Sequence, residues 1–458
     1  MKNYFTLFAM VLCSIAVAQN RSMELGSVYE FGKNDANHPC ITPEQYQLIE
    51  KQLAENRKTL GLDNTTQNKA MSASYGWPLQ QASGVNNCSY YYIGAYVDED
   101  TTSPGIKDWN CGTVTYDGHR GTDITSSPYP FYSMDNNQLN VVAAAPGTIV
   151  NKVDGNFDKN CAINSSTANY IIVQHADNSV ALYWHMKKNS LTTKTIGQSV
   201  AAGEFLGQVG SSGDASGPHL HFEVWSGTTA NTLKDPFSGP CNIFNASSLW
   251  TSQKSYREPA ILRTQVNTIA PVFPACPATE TPNEDTCFTA GANARFYIFI
   301  RNETNGMTAN MSILNPGGST FSSWTHNSTN TYTPTSYYYT VKTLPTTAGT
   351  YTFQAIYNGI TCLKTFKINC GATVVITISG SKDPYGLYPN PAKTQFVLEA
   401  STLDDLNVEL FEMNGRNVFS KRVRGKEAID VSTLDNGVYS VVIRKDSEVA
   451  IKKLVILH

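Results

Sequence analysis

Charge is scarce in this sequence and neither sign dominates: 34 Lys and Arg face 37 Asp and Glu across 458 residues, a formal net of −3. Without a basic stripe, neither nucleic acid nor an anionic membrane surface is expected as a partner. No apolar run after residue 20 is long enough to span a bilayer, so the mature chain should have no membrane span. Histidine is scarce too, at eight, and residues 383–458 contain no cysteine. At this length one ordinary core is not enough, and two or more domains are expected.

The first residues, MKNYFTLFAMVLCSIAVAQN, combine an early Lys, an apolar run from Tyr4 to Val17 and the small-x-small end Ala16-Val17-Ala18. This reads as a secretory signal peptide over residues 1–18, cut before Gln19, leaving a soluble, exported, monomeric protein. Cys13 leaves with it and Cys40 then stands alone. The other cysteines fall four and four about residue 265: Cys88, Cys111, Cys161 and Cys241, then Cys276, Cys287, Cys362 and Cys370. Even numbers in an exported chain imply disulfides within each block, and four cysteines allow three pairings that sequence cannot choose between.

Residues 19–74 are polar and carry one helix, capped by Thr42, with Pro43 in the first turn, Gln45 completing a capping box, and Tyr46, Ile49, Leu53 and Leu60 on one face. Such a piece cannot build its own core, so it reads as a pro-segment leaning on the next domain. Residues 75–260 alternate short strands with Gly, Asn, Asp and Ser turns. Residues 265–372 shift to Pro, Thr, Asn and Ser with many tyrosines, and regular strands such as Arg295 to Arg301, Tyr337 to Val341 and Gly349 to Tyr357 suggest an immunoglobulin-like β-sandwich. There His326 reads as a surface residue of a loop. Residues 383–458 form a small β unit with Leu-Tyr-Pro-Asn-Pro and a hairpin turn at Met413-Asn414-Gly415-Arg416. The fold class is thus mainly β, with a short helical pro-segment.

Five residues in three stretches make a hydrolytic metal inventory: His119 and Asp123 in Gly-His-Arg-Gly-Thr-Asp, His185 in Leu-Tyr-Trp-His-Met, and His219 and His221 in Gly-Pro-His-Leu-His-Phe. A catalytic zinc needs three protein ligands and one open position, so two histidines and an aspartate can bind and two histidines remain for acid/base work. Residues two apart on a strand share a face, which unites His219 and His221. Gly118, Gly121 and Thr122 disfavour a helix between His119 and Asp123, but a tight bend into a strand also brings both to one centre. Each motif alone has a bland reading, as half-buried strand histidines or a surface pair.

Taken together and in order, these motifs resemble the lysostaphin/LytM family of zinc endopeptidases, which includes the β-lytic proteases; the likeness covers roughly residues 85–240. It implies an antiparallel β-sheet zinc peptidase domain in which His119, Asp123 and His221 bind Zn2+ while His185 and His219 flank the reacting water; the sequence does not separate their roles, and His219 is taken as base with His185 as stabiliser. His175 matches a family histidine that is not a ligand. The implied substrate is peptidoglycan, in its stems or cross-bridges, with glycine-rich proteins such as elastin as the alternative. A catalytically inactive wall-binding regulator is a rival of another class, but degenerate relatives lack members of the five, and here all are filled.

The C-terminal unit resembles the sorting domain of type IX secretion cargo in Bacteroidetes, through Tyr388-Pro389-Asn390-Pro391, Met413 to Arg416, Gly437-Val438-Tyr439 and Lys452-Lys453-Leu454. That implies the type IX machinery as partner and a secreted or surface-attached product. The central sandwich can be a spacer or a wall binder. For Cys40 three readings stand open: a free thiol, a disulfide to a catalytic-domain cysteine, or a thiolate in the water position of the zinc that keeps a zymogen latent.

Overall fold

The computed structural model describes residues 40–63, 73–162, 164–370, 384–401, 403–412, 416–445 and 448–458, and the backbone of Met23–Leu25. The expected signal peptide and the turn at Met413-Asn414-Gly415 lie outside the described residues. The chain divides into two compact units, Met1–Ile368 and Asn369–His458.

In the first unit β1 (Met23–Leu25) precedes helix α1 (Pro43–Thr59), which begins on the expected capping box: Thr42 accepts from the Gln45 backbone while Gln45 accepts from the Thr42 backbone. Then come β2 (Leu79–Gln81), β3 (Tyr91–Ala95), β4 (Thr122–Ser126), α2 (Pro130–Asp135), β5 (Leu139–Val142) and β6 (Gly147–Val153). They are followed by β7 (Tyr170–Gln174), β8 (Val180–Trp184), β9 (Ser199–Val200), β10 (Phe205–Gln208), β11 (His219–Trp225) and β12 (Leu233–Lys234). The main sheet runs β3-β4-β11-β8-β7-β6-β9 with β12 added to β11, and a small sheet runs β10-β5-β2.

Alternation along the strands loads both faces of the main sheet. Ile171, Ala181, Tyr183, Leu220, Phe222 and Val224 enter one core with Leu79, Val141 and Leu206 of the small sheet. Tyr170, Ile172, Leu182, Trp184 and Trp225 enter the other, closed by Ile41 and by Ile49 and Leu53 of α1. The helix therefore lies on the face to which His219 and His221 also belong.

The sandwich packs β13 (Ala260–Asn267), β15 (Asn293–Thr304) and β18 (Tyr332–Thr343), with β1 at the edge, against β14 (Cys287–Phe288), β16 (Thr308–Leu314), β17 (Thr320–Asn327), β19 (Gly349–Tyr357) and β20 (Ile360–Ile368). Its outer tyrosines are in use. Tyr297, Phe299, Tyr337 and Tyr339 cluster with Tyr129 and Phe273, and Arg301 reaches Ser89 Oγ and the Tyr91 carbonyl at 3.0 Å.

This close packing corrects the disulfide expectation. Cys111–Cys241 lies within the first block, but Cys88–Cys362 and Cys161–Cys276 cross the boundary, each with Cα atoms 5.8 Å apart. Cys287 and Cys370 are disulfide-bonded as well. Even parity in each block is compatible with crossing pairs whenever two crossing bonds form, and apposed β surfaces bring distant cysteines within reach.

A second correction concerns His326, which lies on strand β17 with an inward side chain 14% exposed. Its Nε2 is 3.1 Å from buried Glu303 Oε1, and its ring stacks on Tyr338 at 3.6 Å. The Thr/Asn-rich composition concealed a strand whose alternate residues face the Glu303 site.

The second unit is built from β21 (Tyr385–Tyr388), β22 (Gln395–Ala400), β23 (Asp405–Glu412), β24 (Asn417–Arg424), β25 (Lys426–Asp430), β26 (Gly437–Lys445) and β27 (Glu448–Ile456) in sheets β21-β22-β25 and β24-β23-β26-β27. Asn390 of Tyr-Pro-Asn-Pro fastens β27 by donating to the Lys453 carbonyl at 2.7 Å and accepting from the Val455 amide at 2.8 Å.

Burial alone would raise the Glu303 carboxyl, but hydrogen bonds led by those from His326, Ser336 and Tyr338 outweigh it and hold the group at about 2, against an ordinary 4.5. Because the folded value is depressed, this stabilisation is complete above pH 4.5 and is lost as pH falls towards 2. Glu303→Gln should cost about 1–3 kcal/mol at neutral pH and flatten the acid side of the stability profile. Thermal melts from pH 7 to pH 2 check this; parallel profiles for variant and parent would count against it.

Candidate metal centre

Strand pairing assembles the site. Antiparallel β4 and β11 set Asp123 opposite His221, and β11 with β8 sets His221 opposite Trp184. His185 follows Trp184 directly, in the left-handed region at φ +66°, a conformation costing a β-carbon-bearing residue about 1–3 kcal/mol. That turn at the strand end brings its ring beside His219, with centroids 4.5 Å apart. His119 sits on the tight bend before β4, where Gly118 has φ +73° and its amide donates to Asp98 Oδ2 at 2.9 Å. Gly121 of the same bend leaves room for the His221 ring: a β-carbon there would lie 2.5 Å from Cε1.

All five sequence candidates meet. His119 Nε2 is 3.2 Å from both Asp123 Oδ1 and His221 Nδ1, and His221 Nδ1 is 3.1 Å from the same carboxylate oxygen. His219 Nε2 lies 3.7 Å from Asp123 Oδ1. His175 stays apart, donating from Nδ1 to the Pro146 carbonyl at 2.9 Å with its ring edge against Tyr75.

The remaining ring nitrogens decide which lone pairs face inward. His119 Nδ1 donates to the Tyr96 carbonyl at 2.6 Å, which leaves Nε2 unprotonated towards the centre. His221 Nε2 is 3.2 Å from Glu223 Oε2, so this ring offers Nδ1. Two imidazole lone pairs 3.2 Å apart and a carboxylate oxygen thus converge with no proton between them when both rings are neutral. A protonated His221 can bridge these atoms, and a bound cation would be met by all three; the donor set suits Zn2+. His185 Nδ1 and His219 Nδ1 donate to the carbonyls of Ser212 and Gly217 at 2.7 and 2.8 Å, so both present Nε2. His185 Nε2 is buried with no hydrogen-bond partner among the described residues.

Charge follows the same plan. Burial alone would raise Asp123, but His119 and His219 outweigh it and hold the carboxyl well below its usual range. Burial pushes His185 well down and His219 down, keeping both neutral. Burial opposes charge on His221 as well, yet Cys40, Asp123 and Glu223 around it raise it well above the ordinary value.

One contributor escaped the sequence reading. Glu223, fully buried, accepts from Trp225 Nε1 at 2.6 Å, Arg120 Nε at 3.2 Å and Tyr46 Oη at 2.8 Å besides facing His221. Burial would raise its carboxyl, but the His221 hydrogen bond and the Arg120 charge keep it lowered and ionised. Its position two residues after His221 was the available signal, since strand alternation turns it to the same face. Cys40, one of whose three open readings placed it at the zinc, does reach this centre: its Sγ is 3.3 Å from His221 Nδ1, and the ligand atoms of Cys40, His119 and His221 lie within 4.8 Å of one another.

The sheet and this cluster define a LytM-type peptidase domain. Residues 117–233 match Peptidase family M23 and residues 386–457 match the secretion system C-terminal sorting domain, so the chain carries an M23 peptidase domain and a type IX sorting domain. The chain is similar to an uncharacterized metalloprotease of Buchnera aphidicola (30% identity over 122 residues, 27% of this chain and 30% of that one). It is also similar to cell division protein DipM of Caulobacter vibrioides (33% over 116 residues, 25% and 18%). A third relative is the peptidoglycan DD-endopeptidase ShyA of Vibrio cholerae (37% over 82 residues, 18% and 17%). The matched stretch thus spans under a third of each of these relatives. The sorting domain marks a secreted or cell-surface protein, and no helix among the described residues is long and apolar enough to cross a membrane.

Glu223→Ala should free the His221 ring and lower metal affinity by about 10- to 100-fold, with Glu223→Gln milder in the same direction. Competition against a chromogenic chelator measures this. Unchanged affinity in Glu223→Ala would remove the residue from the site, and His175→Ala should leave affinity at the parent value.

Proposed function

We propose that the protein is a secreted zinc endopeptidase that hydrolyses peptide bonds in the stems or cross-bridges of peptidoglycan. The observation that carries this reading is the convergence of His119 Nε2, Asp123 Oδ1 and His221 Nδ1 beside two further histidines. Similarity to peptidoglycan DD-endopeptidases supports the substrate class.

His119, Asp123 and His221 would hold Zn2+. When bound, zinc supplies a Lewis acid that brings the pKa of water towards 7 and polarises a peptide carbonyl. His219, partly exposed and kept neutral by burial, takes the proton from the attacking water at Nε2 and passes it to the departing amine. His185, its Nδ1–H held by the Ser212 carbonyl, presents the Nε2 lone pair and orients the attacking water; it can stabilise the oxyanion only after that nitrogen has taken a proton. Both rings are fixed by backbone carbonyls, so little reorganisation is needed as the reaction proceeds. In this reading residues 19–74 are a pro-segment behind a signal peptide, 75–260 the peptidase, 265–372 a sandwich and 383–458 the type IX delivery unit.

The direct test incubates the mature enzyme with intact sacculi of several wall chemistries and with elastin, and identifies new amino termini. Metal-dependent cleavage of sacculi is expected; cleavage of elastin alone would move the substrate to glycine-rich proteins, and no cleavage of either would leave the inactive regulator. His185→Ala and His219→Ala should retain stoichiometric zinc by atomic emission and lose about 100- to 10,000-fold in rate. A loss below about tenfold in either would contradict its role.

Deleting residues 383–458 should leave hydrolysis intact and abolish export from the native host. Normal amounts of truncated protein in the medium would contradict the delivery role.

A further inference from the structure

Cys40 is the free thiol among the described residues, and the other cysteines from Cys88 onward are all in disulfides, which excludes a disulfide to the peptidase region. It is 5% exposed, with Sγ 3.3 Å from the same His221 Nδ1 that faces His119 and Asp123. The inward-facing atoms of those three residues make a donor set for a cation without the cysteine.

The chain around Cys40 is anchored by contacts that owe nothing to sulfur. Ile41 is fully buried, the Thr42–Gln45 capping box starts α1 just beyond, and Ile49 and Leu53 seal the apolar face carrying Trp184 and Trp225. Tyr46 donates to Glu223 at 2.8 Å beneath the Arg120 guanidinium, 5.0 Å from its ring centroid. Glu50 accepts from the Ala230 amide at 2.7 Å and Asn56 donates to the Val150 carbonyl at 2.9 Å. The helix thus delivers one thiol to the metal centre on a fixed arm.

We propose that Cys40 is the latency ligand of the precursor, its sulfur filling the open coordination position so that no water can react until the segment bearing it is removed. This rests on the zinc-site reading above. Three protein ligands with one open position make a catalytic site, whereas a fourth ligand closes it into a structural one. As sulfur binds, the S–H bond ionises and its proton goes to solvent. Burial favours the neutral thiol, and a cation at the site would outweigh this by stabilising the thiolate. Cleavage beyond α1 then removes the thiol together with the helix that carries it.

The test uses the full precursor loaded with cobalt(II) in place of zinc. The parent should show a near-ultraviolet thiolate-to-cobalt charge-transfer band and a thiol that resists a disulfide reagent until a chelator strips the metal. Cys40→Ser and Cys40→Ala should both bind cobalt without that band, and their zinc forms should cleave sacculi without processing, about 100-fold faster than the parent precursor, the lower end of what acid/base groups contribute once water can enter. Cobalt bound by the parent without the band overturns Cys40 as ligand and leaves the zinc-site reading intact. Zinc-loaded variants as inert as the parent overturn the latency role. Failure of all forms to bind cobalt overturns the metal site and this proposal with it.

Discussion

The register between β4 and β11 carries the site: it sets Asp123 across from His221, and a slip of one residue would leave the two ligands on opposite faces of the sheet. The apolar pattern holds that register, because Ile124, Leu220, Phe222 and Val224 must enter the core shared with the small sheet. Once it is set, Glu223 falls on the ligand face beneath His221. His185 turns in at the end of the neighbouring strand, and Gly121 clears space for the ring between them. Packing on one side of the sheet thus dictates chemistry on the other.

The chemical face has apolar residues of its own. Trp184, Trp225 and Leu182 would stand open to solvent without Ile41, Ile49 and Leu53 of the N-terminal segment. The same helix binds Glu223 through Tyr46, so the stabilising cover and the residue that orients a ligand are linked by a hydrogen bond. Docking this cover uses a complete capping box and two fully inserted aliphatics in an otherwise polar segment. The sandwich, in contrast, is fastened to the peptidase region by two crossing disulfides, the Arg301 contacts and an aromatic cluster around Tyr129. Tyr297, Phe299, Tyr337 and Tyr339 are engaged in that packing.

What was legible in the sequence was local. Thr42, Pro43 and Gln45 announce a helix start because orphan amides need those groups at that spacing, and His219 and His221 share a face because strands alternate. The meeting of the five site residues was legible only as a family resemblance, since residues 98 and 102 positions apart are joined by sheet topology rather than spacing. The disulfides crossing from Cys88 and Cys161 were invisible for the same reason. His326 was misjudged because polar composition hides a strand whose inward residues surround a buried carboxylate. Cys40 lay between these cases: arithmetic left it unpaired, but its contact with His221 depends on how the helix docks 181 residues away in sequence.

Crystals of the full precursor grown with zinc, measured by anomalous diffraction on both sides of the zinc edge, test the central claim most directly. The account predicts a single strong anomalous peak in bonding contact with His119 Nε2, Asp123 Oδ1 and His221 Nδ1, with Cys40 Sγ in the fourth position. A peak bonded instead to His185, His219 or His175, or the absence of any peak at this cluster, would contradict it.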